Sequence, residues 1–102
     1  MWDKFYIVTI DVGGMMDSFN YKSFHEKLIG AKGVNAWWHY LESTYILKVE
    51  YGITAHNIGE YIQKIAPNKR FFVCELNLGD HNGWLPQEAW EWIRDNNNPG
   101  LY

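Results

Sequence analysis

Cysteine is almost missing from this chain: its 102 residues hold one, Cys74, which excludes an internal disulfide and a zinc site built on cysteines. Set in an apolar strand pattern, that lone thiol reads as buried, inert packing. Basic side chains are also scarce, nine against twelve carboxylates, for a formal net charge of −3. Sequence-independent grip on duplex DNA needs lysines and arginines to neutralise phosphates, so a duplex binder is disfavoured, whereas a small anionic ligand held by a few groups is not. No apolar run approaches the roughly 18 residues of a membrane span. The opening MWDKFYIVTI lacks the basic leader and long apolar stretch of a secretory signal. The expectation is a cytoplasmic protein with no membrane contact. GxGxxG, GxxxxGK[ST] and HExxH are all missing, as is any serine, histidine and aspartate spacing of hydrolase type, which leaves dehydrogenase, kinase and hydrolase readings without support.

What the chain has in abundance is aromatic surface. Aromatic residues make up 18% of it, six tryptophans among them, and 47% of all residues are hydrophobic. That is more apolar surface than a disordered segment carries, and it calls for a packed core or an interface. The length suits one domain, expected over residues 1–95, with the breaker-rich NNNPGLY leaving 96–102 as a flexible tail.

Periodicity then orders the elements. Residues 4–11, KFYIVTID, are β-branched and aromatic and run into the glycine turn VGGMMD, which makes a first strand. Asp17, Ser18 or Asn20 can cap a helix whose apolar positions Tyr21, Phe24, Leu28 and Ala31 recur at helical steps until Gly33. Residues 35–50 hold two β-rich runs around Glu42 and Ser43, a hairpin. Thr54 caps a second helix with Ile58, Tyr61, Ile62 and Ile65 on one stripe, closed by Pro67. Residues 69–77 form a fourth strand, and Pro86 opens a third helix on which Leu85, Ala89, Trp92 and Ile93 share a side. Strand, helix, hairpin, helix, strand is the ferredoxin-like βαββαβ order: an α+β fold with a four-stranded antiparallel sheet, two helices on one face and a C-terminal helix besides.

Side-chain alternation assigns faces. In the first strand Tyr6, Val8 and Ile10 point to the two inner helices, and Phe5, Ile7, Thr9 and Asp11 point away. A two-residue hairpin loop puts Trp38 and Tyr40 with Tyr45, Leu47 and Val49 under the helices, and Trp37, His39, Leu41, Ile46 and Lys48 on the outer face. With Phe71, Val73 and Glu75 added, that outer face is too apolar to meet water. Its cover is either the C-terminal helix, anchored by Trp84, Trp90 and Trp92, or a second copy of the chain. Trp90, off the apolar stripe, is free to touch a partner.

Strand one ending in TID, the segment AWWHYLESTYIL and the late GWLPQEAWEWI resemble a group of small bacterial and phage proteins described as SinR-like, over most of the chain. More distantly, the βαββαβ order with an aspartate closing strand one is similar to the ferredoxin-fold subunit of the CRISPR adaptation complex and to VapD-type ribonucleases. In that wider family the strand-one aspartates of two subunits face each other and are proposed to hold magnesium for nuclease chemistry; Asp11 is the matching position. This chain departs in lacking an arginine-rich first helix, in its acidic charge, and in a tryptophan-bearing C-terminal helix where those subunits have a strand. The departures argue against DNA bridging.

The candidate site residues follow from their chemistry. A two-fold pair of Asp11 carboxylates suits a hard cation that keeps several waters, although an aspartate before VGG also serves as a turn or cap residue. His39 can act as general acid or base or donate to a phosphate, or it can be an interface histidine bonded to a carbonyl. Trp37 can stack on a nucleobase, while Trp38 reads as packing. Ser43 and Thr44 can give hydroxyls to a ligand or merely close the turn, and Lys48 offers a cation. Gly13 and Gly14, and the loop of His81, Asn82 and Gly83, could form backbone nests for phosphate, without a phosphate-binding fingerprint. Three functions compete. The first is a homodimer binding a nucleotide, such as a cyclic-nucleotide signal in phage or bacterial defence or counter-defence, or a short RNA, through Asp11, Trp37, His39, Ser43 and Lys48. The second, implied by the distant resemblance, is a magnesium-dependent ribonuclease using paired Asp11; magnesium is the one cofactor expected, and only there. The third is a protein–protein interaction module.

Overall fold

A computed structural model describes residues 2–11 and 19–97. The strands are β1 (Lys4–Ile10), β2 (Val34–Leu41), β3 (Thr44–Val49) and β4 (Phe71–Leu76), and the helices are α1 (Tyr21–Ile29), α2 (Ala55–Ile65) and α3 (Gln87–Asn96). The four strands form one sheet in the order β2-β3-β1-β4, every neighbouring pair antiparallel. Because β1 and β2 flank β3, and β3 and β4 flank β1, each of the helices α1 and α2 is a crossover spanning one strand. This is the ferredoxin-like α+β fold that the element order predicts.

Local chemistry sets the helix ends. The Asn20 side chain accepts from the Ser23 amide at 2.9 Å and opens α1; the other two capping candidates, Asp17 and Ser18, and the VGG turn with Gly13 and Gly14 lie outside the described residues. Thr54 and Asn57 exchange side-chain and backbone bonds of 3.1 and 3.0 Å in a capping box that starts α2. The first helix stops at Gly30, earlier than the expected Gly33. Gly33 turns the chain into β2 instead, with φ of +90° and a backbone so close to Ile53 that a Cβ would overlap its Cδ1.

Two cores result. Under α1 and α2 lie Tyr6, Val8 and Ile10 of β1 and Tyr45, Leu47 and Val49 of β3, packed on Phe24, Leu28, Ile58 and Ile62. On the other face α3 brings Ala89 and Ile93 onto Trp38, Ile46 and Leu78, with Phe5, Leu76, Leu85, Trp90 and Trp92 around them. The C-terminal helix therefore covers part of that face in cis. Trp92 meets Phe5 edge-on at 6.1 Å, and Trp90 stacks on His81 at 5.9 Å, packing within its own chain and not standing clear of it. Trp84 anchors nothing, being 99% exposed.

The face assignment holds for β1 and β3 and is reversed for the middle of β2 and for β4. The hairpin loop is the expected Glu42–Ser43, since Leu41 pairs with Thr44. The register then shifts between Trp38 and Leu41, so that Trp38 lies opposite Ile46 and Trp37 opposite Leu47. One extra residue in β2 inverts the side chains before it as far as Ala36: Trp38 drops into the α3 core, while Trp37 and His39 join the α1 side, and a second shift between Val34 and Ala36 returns Val34 to the inner core. In β4, Ile10 pairs with Phe71 and Val8 with Val73, which puts Phe71 and Val73 under the inner helices. Phe72, Cys74 and Leu76 take the outer face, and Cys74 is exposed, not buried. Among the described residues no helix is long and apolar enough to cross a membrane.

Candidate functional site

One end of the sheet gathers most of the reactive side chains. There the end of β1, the Glu42–Ser43 turn, the first turns of α1 and the start of β4 meet. The Ile10 amide donates to the Ser43 carbonyl and the Asp11 amide to the Arg70 carbonyl, both at 2.9 Å, which locks hairpin and β4 to β1. The Tyr21 hydroxyl donates to the Asp11 carbonyl at 3.1 Å and receives the Lys69 ammonium at 3.0 Å, joining α1 to the same end.

Two adjoining hollows share Ile10. The first, about 510 Å³, is lined by Ile10, Tyr21, Lys22, Phe24, His25, His39, Glu42 and Tyr45. The second, about 480 Å³ and shallower, is lined by Thr9, Ile10, Asp11, Ser43, Arg70, Phe71 and Phe72. A third cavity of about 380 Å³ opens at the other end between α1 and α2. Its wall is chiefly aliphatic, Leu28, Val34, Leu47, Val49, Ile53 and Ile58, and holds no histidine.

The first hollow has the more organised chemistry. His39 lies flat on Tyr45, ring centroids 3.9 Å apart and planes within 3°. Its Nδ1 donates to the Thr44 carbonyl at 2.9 Å; a carbonyl can only accept, so the proton sits on Nδ1 and Nε2 of the neutral ring keeps its lone pair. His25, from α1, shares a 2.8 Å hydrogen bond between its Nδ1 and the Tyr45 hydroxyl. The two imidazole centroids are 5.7 Å apart. Trp37, 40% exposed, meets His25 edge-on at 5.0 Å. Burial pushes the Tyr45 phenol up to about 12, so it stays protonated and can donate or accept as His25 requires.

The five residues expected at a single rim are thus divided. Asp11, exposed, and Ser43 line the shallow hollow, His39 lines the deeper one with Trp37 beside it, and Lys48 pairs with Phe5 and Ala36 on the α3 side of the sheet. Sequence reasoning missed Lys22, His25 and Tyr45, together with Arg70. His25 sits between Phe24 and Leu28 of the α1 stripe, and a histidine at the border of an apolar face, one helical turn beyond Tyr21, was the available signal. No group of three or more histidine, cysteine, aspartate or glutamate side chains is placed to hold a metal ion among the described residues.

No protein-family model matches the chain, and no curated protein does. Among solved structures it is similar to the yeast copper transporter domain CCC2A, determined in solution in its apo and Cu(I)-loaded states. The two are 20% identical, with a TM-score of 0.46, over 72% of this chain and 96% of that one.

Proposed function

We propose that this protein is a homodimer that binds a nucleotide or a short single-stranded RNA at the histidine-lined end of its sheet. The observation that carries the reading is the paired arrangement of His25 and His39, each tied through Nδ1, around a hollow that Lys22 also lines. The Lys22 ammonium offers donors to a phosphate, and the free Nε2 of His39 accepts from a ribose hydroxyl, without the large positive field that duplex binding requires. Trp37, partly open beside His25, provides a platform on which a base stacks, worth about 1–3 kcal/mol per base when stacking is full. Asp11 and Arg70 in the neighbouring hollow can receive the next group along a strand.

For the dimer, the support is the part of the outer face that α3 leaves open. Phe72 is 60% exposed on edge strand β4, beside exposed Cys74. An apolar edge of this kind is sheltered by a second copy. Titration of tryptophan fluorescence with mononucleotides and short RNA is expected to show binding that His39→Ala and Lys22→Ala each weaken; no binding at any concentration sinks the reading. Sedimentation is expected to show a dimer that Phe72→Glu splits.

A second reading, a magnesium-dependent ribonuclease, is favoured by one observation: the Asp11 side chain is exposed at the end of β1 in a hollow with Ser43 and Arg70. RNA cleavage that needs magnesium and is lost in Asp11→Asn would support it, and cleavage indifferent to both would remove it.

A further inference from the structure

Resting on the reading that RNA occupies the deeper hollow, we infer that this hollow also cleaves RNA without a metal, with His39 as general base and His25 as general acid.

The argument starts from where the protons are. The Thr44 carbonyl holds the proton of His39 on Nδ1, leaving the Nε2 lone pair as a base. His25 is bonded through Nδ1 to a hydroxyl, which can accept as well as donate, so the same contact serves a protonated ring that presents Nε2–H. The two rings, with centroids 5.7 Å apart, therefore differ in the way the roles require: a carbonyl fixes the base, and a hydroxyl leaves the acid free to carry its proton. No side-chain nitrogen or oxygen among the described residues is both buried and unpartnered. The Nε2 atoms, which make no hydrogen bond among the described residues, are therefore not sealed from solvent, and both rings line the hollow.

The chemistry balances within the substrate. Nε2 of His39 takes the proton of a ribose 2′-hydroxyl as that oxygen attacks the adjacent phosphorus. The P–O5′ bond breaks, and the departing O5′ takes the proton on Nε2 of His25. The products are a 2′,3′-cyclic phosphate and a 5′-hydroxyl end, with His39 now charged and His25 neutral until they exchange protons with water. The face of Tyr45, stacked on His39 at 3.9 Å, stabilises the imidazolium that forms. Lys22 supplies a positive charge toward the phosphorane oxygens. Other titratable groups facing the pair are Glu42 of the hairpin, Tyr21 of α1 and Tyr45 of β3.

The test uses the purified chain, a short unstructured RNA and its 2′-O-methyl counterpart, in excess EDTA. Expected are cyclic-phosphate products, a bell-shaped dependence of rate on pH, and binding of the 2′-O-methyl RNA without cleavage. His39→Gln and His25→Gln, each checked for unchanged melting, should lower the rate by at least ~100-fold, the lower end of what a positioned acid or base contributes. His25 is on the partly exposed side of α1, so its variant keeps the test open should the strand variant fail to fold. Binding of both RNAs with no cleavage of either overturns the cleavage inference and leaves the binding reading standing. Binding of neither overturns both. Cleavage that EDTA abolishes, or that persists unchanged in both variants, overturns the histidine mechanism.

Discussion

The phenol of Tyr45 and the imidazole of His39 lie face to face, 3.9 Å apart and 3° from parallel, across neighbouring strands of the sheet. Tyr45 is 3% exposed, and its hydroxyl reaches His25 on the helix above. One side chain thus holds two histidines, one by its ring and one by its oxygen.

Burial of Tyr45 carries a consequence for alkaline stability. Its pKa is pushed from 10.0 up to about 12 in the folded chain, so between those values the unfolded chain loses the proton first. The stability contributed by the neutral phenol is complete below pH 10 and is lost as pH rises toward about 12. Tyr45→Phe keeps the stack and removes the titration. Near pH 8 the variant should be less stable by about 0.5–1.5 kcal/mol, the usual net value of one hydrogen bond. In urea unfolding the gap between parent and variant should narrow above pH 10; a constant gap up to pH 12 would contradict the assignment.

Gly33 is expected to resist substitution. With φ at +90° and Ile53 against the place where a Cβ would stand, Gly33→Ala combines backbone strain with a clash. Strain of this kind costs on the order of 1–3 kcal/mol. Gly52, which has open space around it, is the control: Gly52→Ala should change the melting temperature little. Equal effects at the two positions would show that the overlap at Gly33 does not matter.

These positions also mark what sequence could and could not disclose. Strict alternation in Tyr6, Val8 and Ile10 made the inner face of β1 legible, and the stripe of Ile58 and Ile62 did the same for α2. In β2 the register shift falls where Tyr40 and Leu41 are both apolar, so nothing in the pattern betrays the extra residue that reverses Trp37 and Trp38. FFVCEL in β4 is an almost unbroken apolar run, and such a run carries no parity. His39 was recognisable as chemistry. Its pairing with His25 was not, because a helix and a strand distant in sequence meet only once the sheet has formed.

The cap of α2 gives a local test. Thr54 and Asn57 satisfy each other's backbone amides at the helix start, with bonds of 3.1 and 3.0 Å. Thr54→Ala should cost about 1 kcal/mol and Thr54→Ser much less. Measured by chemical unfolding, identical losses in the two variants would mean that the threonine methyl, and not its oxygen, is what α2 uses.

The second core sets the last prediction. Trp38 is 3% exposed and sits between Ile46 of β3 and Ala89 and Ile93 of α3, with its indole Nε1 donating to the Ala89 carbonyl at 3.3 Å. Trp38→Ala removes the largest fully enclosed side chain of that core and should cost about 3–5 kcal/mol. Trp38→Phe keeps most of the volume and loses only the indole bond to the Ala89 carbonyl, which retains its helical partner within α3, and a smaller loss follows. Trp37, one residue away and 40% exposed, belongs to the other side of the sheet, and Trp37→Ala should leave stability close to that of the parent while weakening RNA binding. Opposite outcomes for the two neighbouring tryptophans, stability for one and binding for the other, test the register of β2 directly. If Trp37→Ala unfolds the protein and Trp38→Ala is tolerated, the shifted pairing is wrong and the histidine site built on it falls too.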